Sequence, residues 1–279
     1  QGVLGLVPNV LVPLGSTPQR KQQMLSGLHT MYGLASLMAP LLAAVSEMIS
    51  GSWRTTFMVA SLAPFSLFLY TLHKSHANLH TKANRPTPTP QGVRSLIWPQ
   101  LHLALMLSFA VALEIMVSSR LALYMQRAQG ASMELASYYV SAFFVSMMAG
   151  RFLFAVILFK TTVSRLLMLS ILSSGACVLL GLYVHPVFLA LSGFTIAPFY
   201  PLAISWISSE FPKDLDAVVS YMMALDSLML ILMHIGIGKL TDMFNIQTAF
   251  FYGLIFVVGS VALGLSYSYL HPKKSQADL

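Results

Sequence analysis

The sequence predicts an all-α membrane protein. Of its 279 residues, 56% are hydrophobic and only 9% are charged, and the mean hydropathy is +0.73, whereas soluble domains carry about 25% charged residues. Apolar runs of roughly 18 to 25 residues recur along the chain, and a helix of about 20 residues crosses the hydrocarbon core of a bilayer. Because a backbone in lipid must satisfy its own hydrogen bonds, we expect these runs to be helices.

Nine apolar segments are predicted to be helical, and the first is too short for a complete span. Their predicted bounds are residues 2–15, 24–46, 55–72, 99–123, 134–159, 163–184, 186–207, 216–239 and 248–270. The polar, Pro-rich residues 73–98 separate three of these helices from the other six, which is typical of a linker. We therefore expect three parts: helices in residues 1–72, the linker 73–98, and a six-helix bundle in 99–279.

The basic residues predict how the chain crosses the membrane. If the spans alternate, eleven Lys and Arg side chains fall on one side, and Arg54, Arg127 and Lys239 fall on the other. Loops rich in Lys and Arg face the cytoplasm, so we expect the linker and the C-terminus there. The protein is then a multi-pass protein of the cell membrane, which is the inner membrane if the source is bacterial. Membrane orientation thus explains the net charge of +7 without a nucleic-acid partner.

Other function classes find no support in the sequence. The single cysteine, Cys177, lies in an apolar run, so neither a disulfide framework nor a cysteine metal cluster is expected within one chain. His73, His76 and His80 lie in the Pro-rich linker without a nearby Cys or acid, which favours a solvated basic segment over a metal site. Because no nucleotide-binding loop, serine-hydrolase elbow or metalloprotease motif occurs, we expect neither an enzyme with catalytic residues nor a cofactor.

Two stretches of the sequence carry a family resemblance. In residues 14–42 a basic turn precedes His29, Tyr32, Gly33 and Pro40. Residues 113–153 contain, in order, Glu114, Leu121, Tyr124, Ala136, Ser141, Gly150 and Arg151. This pattern resembles the fucose/glucose-galactose:proton symporter branch of the major facilitator superfamily, at the join of helices four and five and in helices seven and eight.

Further segments extend the resemblance and also limit it. The stretch GFTIAPFYP, 193–201, resembles the broken helix ten of that branch, and GIGKLTD, 236–242, resembles the close of helix eleven. Arg120 stands where the branch usually has Trp, and Gly5 where its fucose members carry an acid.

The resemblance implies a partial helical bundle of the major facilitator superfamily, from the end of helix 4 to helix 12. Residues 1–72 then hold helices 4 to 6, and 99–279 hold helices 7 to 12. We expect three helices to precede this sequence in the natural protein and to be needed for its function.

Three ionisable side chains inside apolar spans are candidates for proton coupling. Glu114 lies ~20 Å into its span at ~1.5 Å per residue, past the middle. An ionised group at that depth costs about 2.5–3.5 kcal/mol, so such groups usually face a cavity or a partner. Asp226 is near the midpoint of its span, and His234, two turns later, can titrate near physiological pH. A structural role between helices is the alternative for each.

Glu114, Arg120, His29, Tyr32, Tyr200 and Trp206 are the candidates for substrate binding. His29 and Tyr32 share a helix face and can hydrogen-bond hydroxyl groups. Tyr200 and Trp206 follow prolines that free backbone carbonyls, a feature tolerated where helices line a cavity, and their rings could stack on a sugar. Packing in the core is the alternative for all four.

Arginine and glycine residues provide the remaining candidates. Arg120 lies six residues after Glu114 and about 120° around the helix, so we do not expect the two to pair. An arginine that reaches for the outer interface is the alternative. Gly150 and Arg151, near the cytoplasmic end of their span, are candidates for a gate or a lock between helices.

Together these features predict a secondary active transporter that works by alternating access. Its substrate is expected to be a monosaccharide imported with a proton, or with sodium as the alternative coupling ion. A proton-driven exporter of drugs or metabolites is the alternative with the same fold, since 17 Met and 11% aromatic residues suit a plastic apolar pocket. A non-transporting membrane scaffold or sensor, or an inactive piece of a longer chain, is the alternative of another class.

Overall fold

The computed structural model describes residues 2–17, 20–52, 54–78, 93–157, 159, 161–212 and 214–270. Eleven helices and no strand occur in these residues, which confirms the all-α class. The helices are α1 Gly2–Gly15, α2 Lys21–Ser50, α3 Arg54–Asn78, α4 Val93–Gln129, α5 Met133–Val156, α6 Val163–Tyr183, α7 Val187–Ile196, α8 Phe199–Glu210, α9 Leu215–Met243, α10 Ile246–Tyr252 and α11 Ile255–Leu270.

Seven apolar segments within the described residues are long enough to cross a membrane. They are Arg54–His73, Trp98–Gln129, Met133–Val156, Val163–Tyr183, Val187–Glu210, Ala217–Met243 and Ile246–Leu270. Two of these segments each contain a pair of shorter helices, α7 with α8 and α10 with α11. The ends of the predicted linker are helical, because α3 runs to Asn78 and α4 begins at Val93.

The chain divides into two compact units. One unit comprises Gln1–Leu34 and Leu96–Leu279, and the other comprises Ala35–Ser95. In the first unit, α7 packs against α5 and α6, while α1 packs against α8 and α9. The candidate side chains that the structure describes lie in this first unit.

Two prolines explain why α7 and α8 are separate helices. Pro198 has no N–H to donate to the Phe194 carbonyl, and Pro201 has none to donate to the Ala197 carbonyl, so two helical hydrogen bonds are missing within one turn. Helix α7 ends with Ala197 as its C-cap, and α8 begins after Pro198. The break predicted from the sequence GFTIAPFYP is thus confirmed.

Glycines let α5 approach this break closely. A Cβ added to Gly150 would lie 2.6 Å from the Phe194 carbonyl oxygen and 2.8 Å from the Ala197 Cβ. About one turn away, a Cβ at Gly193 would lie 2.8 Å from Ser146 Oγ, which itself donates to the Ala190 carbonyl at 2.6 Å. The backbones of α5 and α7 therefore meet at a distance that no larger residue permits at Gly150 or Gly193.

Helix α4 lies beside α9 and runs in the same direction. Ser108 contacts Asp226 near one end of the contact, and the Arg120 guanidinium lies beside Gly238 at the other. In both pairs the difference between the two residue numbers is the same. A constant difference is expected when two neighbouring helices run parallel. On another side, Ser260 of α11 donates a buried hydrogen bond to the Met106 carbonyl at 3.0 Å. Helix α4 is thereby held from two directions, and its orientation decides where Glu114 points.

The close approach at Gly150 predicts the effect of adding one methyl group. We expect Gly150→Ala to lower the free energy of unfolding by about 1–3 kcal/mol, because the new Cβ meets backbone atoms that cannot move aside. The measurement is the thermal unfolding of the purified protein in detergent.

Gly236→Ala is the matched control, since a Cβ there has no neighbour within 4 Å. Alanine is the better helix former, so this variant should unfold at the same temperature as the wild type or higher. Equal unfolding temperatures for the two variants would contradict the packing at Gly150.

Candidate functional site

An ion pair between two helices lies at the centre of the site. The Nη2 of Arg151, on α5, donates to Oε1 of Glu114, on α4, at 3.2 Å. The side chains are 5% and 15% exposed, respectively. Because water is largely excluded, each charge depends on the other for compensation.

Arg151 also donates a hydrogen bond to the backbone at the break between α7 and α8. Its Nε donates to the Ala197 carbonyl at 3.4 Å, which is the carbonyl that lost its helical partner at Pro201. Its Nη1 is buried and has no hydrogen-bond partner among the residues that the structure describes. Gly150, the preceding residue, provides the space that brings Arg151 this close to the break.

The ion pair joins two residues that the sequence analysis placed at different depths. Helices α4 and α5 are joined by a short connection, so equal distances from it correspond to similar depths. At 1.5 Å per residue, Glu114 lies ~22 Å before the end of α4, and Arg151 lies ~27 Å after the start of α5. The long side chain of Arg151 spans the remaining difference in depth between the two residues. Arg151, expected near the cytoplasmic end, therefore reaches the same level as Glu114.

A second group of polar side chains connects α1, α2 and α8. Asn9 Oδ1 lies 3.2 Å from His29 Nε2, and Asn9 Nδ2 donates to the Tyr200 hydroxyl at 3.4 Å. The His29 and Tyr200 rings meet edge to face with their centroids 4.8 Å apart. Asn9 is 6% exposed, so this group is a buried polar network with both hydrogen-bond donors and acceptors.

The second deep carboxylate joins this arrangement from α9. Asp226 Oδ1 accepts a hydrogen bond from the fully buried Ser108 at 2.6 Å. The charge of Glu114 acts on Asp226, and the charges of both acids and of Arg151 act on Tyr200. Arg151 also acts on His29. The two carboxylates, the guanidinium and the polar network are therefore near enough to influence one another.

Other predicted residues lie away from this cluster. The Arg120 guanidinium lies beside Gly238, its Nε is buried, and it forms neither a hydrogen bond through that atom nor an ion pair within the described part of the chain. As expected, it does not pair with Glu114. His234 is exposed on α9. The side chain of Tyr32 lies outside the described residues.

The structure separates Trp206 from Tyr200. Trp206 meets the Tyr267 ring edge to face at 5.3 Å and lines a different cavity of about 580 Å³, together with Glu210 and hydroxyl side chains. Tyr200 belongs to the cluster around Glu114. Although the two aromatic residues lie on one short helix, they face different environments.

Two residues of the site were not among the sequence candidates. They are Asn9 on α1 and Ser108 on α4. Both are polar residues inside apolar helices, and that is the signal that could have identified them. Serine is a weak signal, because its hydroxyl can be satisfied by its own helix, as Ser108 also does with the Ala104 carbonyl at 3.0 Å.

The groups gathered here are two carboxylates, a guanidinium and a polar network. Within the described residues, no group of three or more His, Cys, Asp and Glu side chains could hold a metal ion. Glu114 is paired with Arg151, and the network presents both hydrogen-bond donors and acceptors. The arrangement therefore combines a buried ion pair with neutral hydrogen-bonding groups.

The burial of the ion pair predicts strong energetic coupling. Glu114→Gln and Arg151→Gln should each lower the free energy of unfolding by about 3–5 kcal/mol, because each leaves a buried charge uncompensated. The double variant should lose clearly less than the sum of the single losses. Thermal unfolding of the four proteins in detergent measures this coupling.

The control for this cycle is Glu134→Gln. Glu134 is exposed in the first turn of α5, so its removal should cost less than about 1 kcal/mol. Additive effects at Glu114 and Arg151 would mean that the two side chains do not stabilise each other.

Comparison with known proteins identifies the fold. No protein-family model matches the chain, and no curated protein sequence is significantly similar to it. Among solved structures, the chain is similar to a major facilitator superfamily transporter, FucP, in the outward conformation. The TM-score is 0.70 at 16% sequence identity, and the match covers 93% of this chain and 71% of that chain. The protein is therefore a multi-pass membrane protein with the major facilitator superfamily fold.

Proposed function

We propose that the protein is a secondary active transporter that imports a monosaccharide together with a proton by alternating access. The observation that carries the proposal is the ion pair between Glu114 and Arg151, buried within two membrane-spanning helices beside a broken third helix. Ionisable side chains in such positions are costly and usually serve transport or proton transfer. The likeness to a solved transporter of the same fold supports the general class.

The ion pair is suited to proton coupling because it has two states. With Glu114 ionised, the pair is compensated within the protein and holds α4 to α5. With Glu114 protonated, the pair is broken, and the two helices are free to separate. A proton acts on a conformational equilibrium only through different affinities for its two states, and this pair provides such a difference. Asp226, hydrogen-bonded to Ser108, is the second candidate carrier.

The polar network is suited to a hydroxylated substrate. Asn9, His29 and Tyr200 present amide, imidazole and phenol groups from three helices. A sugar hydroxyl donates one hydrogen bond and accepts others, so mixed donors and acceptors suit it better than a purely apolar pocket does. The same mixture disfavours a lipophilic cargo.

The orientation of the chain and the coupling ion belong to the same proposal. The basic residues support a cytoplasmic linker and C-terminus. Glu114 is paired with an arginine and Asp226 accepts from a serine, so the site offers few free oxygen ligands for a cation, which favours a proton over sodium.

The coupling role predicts the phenotype of Glu114→Gln. In proteoliposomes with an imposed pH gradient, the wild type should accumulate labelled monosaccharide. The variant should lose accumulation while retaining exchange of internal for external sugar, because binding and alternation remain without a group to carry the proton. Initial rates and steady-state levels of uptake measure both activities.

A control variant and three alternative outcomes make this test decisive. Glu134→Gln, which removes an exposed carboxylate, should accumulate sugar as the wild type does. Accumulation by Glu114→Gln at the wild-type level would exclude Glu114 as the coupling residue. Extrusion of a lipophilic cation by the wild type, without sugar uptake, would favour the exporter, and the absence of any flux would favour a scaffold.

A further inference from the structure

Among the described residues, the guanidinium of Arg151 uses two of its three nitrogens as hydrogen-bond donors. Its Nη2 contacts Glu114 and its Nε contacts the Ala197 carbonyl. Nη1 is buried without a hydrogen-bond partner among the described residues, although the whole residue is 4% exposed. A buried polar nitrogen without a partner destabilises the folded protein, and more so when it belongs to a charged group. Within the described part of the chain, the site thus contains an arginine with an unused donor.

The charges around Arg151 define what that donor can bind. From α4 it faces Glu114, and the other titratable groups that interact with it are His29 of α2 and Tyr200 of α8. Asp226 of α9 is linked to the same cluster through Glu114 and is hydrogen-bonded to Ser108. With Glu114 ionised, the buried pair is neutral as a unit. Arginine keeps its proton at all accessible pH values.

Protonation of Glu114 therefore leaves Arg151 as a buried charge without a counter-ion. Removing one partner of a buried pair is strongly destabilising, because the other charge is left uncompensated. A neutral sugar contributes hydroxyl groups but no charge, so it cannot offset this cost. A substrate with a carboxylate can, since its oxygens take the place of the Glu114 oxygen and also reach Nη1. A carboxylate is the group that a guanidinium binds through two parallel hydrogen bonds.

We propose that the substrate is a monosaccharide bearing a carboxylate, and that this carboxylate binds Arg151 when Glu114 takes up the coupling proton. This inference rests on the proposed function and names its substrate class. On binding, a proton joins the Glu114 carboxylate and the sugar acid pairs with the guanidinium. On release the proton leaves, and Glu114 returns to Arg151. One negative and one positive charge cross together, so the cycle moves no net charge.

The same balance selects a carboxylate over a phosphate. One guanidinium compensates one negative charge, whereas a sugar phosphate carries between one and two negative charges near neutral pH. The sugar hydroxyls would lie toward Asn9, His29 and Tyr200, whose hydrogen-bonding groups are connected with one another.

The first test compares sugars that differ only at one carbon. Proteoliposomes containing the wild-type protein are given labelled galacturonate, galactose or galactose 6-phosphate under a pH gradient. We expect galacturonate uptake at least about tenfold faster than galactose uptake. A membrane potential imposed with potassium and valinomycin should leave galacturonate uptake unchanged, because proton and anion cancel. Faster uptake of galactose or of the phosphate, or a strong dependence on potential, would overturn the inference.

The second test uses binding to the purified protein in detergent. In the wild type, galacturonate affinity should fall about tenfold or more as the pH rises, because ionised Glu114 competes for Arg151. In Glu114→Gln the affinity should become independent of pH and should equal or exceed the low-pH value of the wild type. Arg151→Gln should abolish binding, and Arg165→Gln, which removes an exposed arginine of α6, should not. If Arg151→Gln fails to fold, the pH profile of Glu114→Gln decides, and an unchanged profile contradicts the inference.

The outcomes separate this inference from the proposed function. Proton-driven uptake of galactose without galacturonate leaves the sugar transporter in place and overturns the anionic substrate. Extrusion of a lipophilic cation without uptake of any of the three sugars overturns both.

Discussion

The break between α7 and α8 is the constraint on which the site depends. Two prolines remove two helical hydrogen bonds within one turn, and the Ala197 carbonyl is left inside the membrane without a donor from its own helix. Lipid offers no donor, so one must come from the protein. Arg151 provides it through Nε, and Gly150 lets α5 come close enough. The guanidinium is therefore held by the backbone of another helix and not only by an acid.

The position of Arg151 explains why an acid is tolerated at the middle of α4. Once a guanidinium is fixed at that depth, a carboxylate opposite it lowers the cost of burying both. Glu114 is therefore the compensating partner of a charge that the helix break requires. In the mechanism proposed above, the same pair also carries the coupling proton on Glu114, because a carboxyl can become neutral whereas an arginine keeps its charge.

The polar residues around the pair come from helices that are distant in sequence. Asn9 and His29 lie near the start of the chain, Tyr200 directly follows the break, and Asp226 lies on α9. Tyr200 is placed by the same prolines that expose the Ala197 carbonyl. The break therefore fixes the arginine on one side and one end of the polar network on the other.

Composition and hydropathy determined the helical spans well, because crossing a bilayer requires a certain length of apolar helix. The main differences lie at helix ends. Helix α4 continues to Gln129, beyond the predicted residue 123, since polar residues such as Gln126 and Arg127 are compatible with a helix once it leaves the hydrocarbon. The break near Pro198 was also predictable, because it follows from the missing N–H groups of proline.

By itself, the sequence determined the class of protein, the helices and which charges are unusual, since a deep acid such as Glu114 or Asp226 is costly wherever it points. Only the tertiary structure decided their partners. Depth along a helix is readable from sequence, but the helix face that meets a neighbour is set by packing. Gly150 shows the reason: the contact between Arg151, Glu114 and Ala197 depends on a close approach of two backbones, and no periodicity in the sequence records that distance.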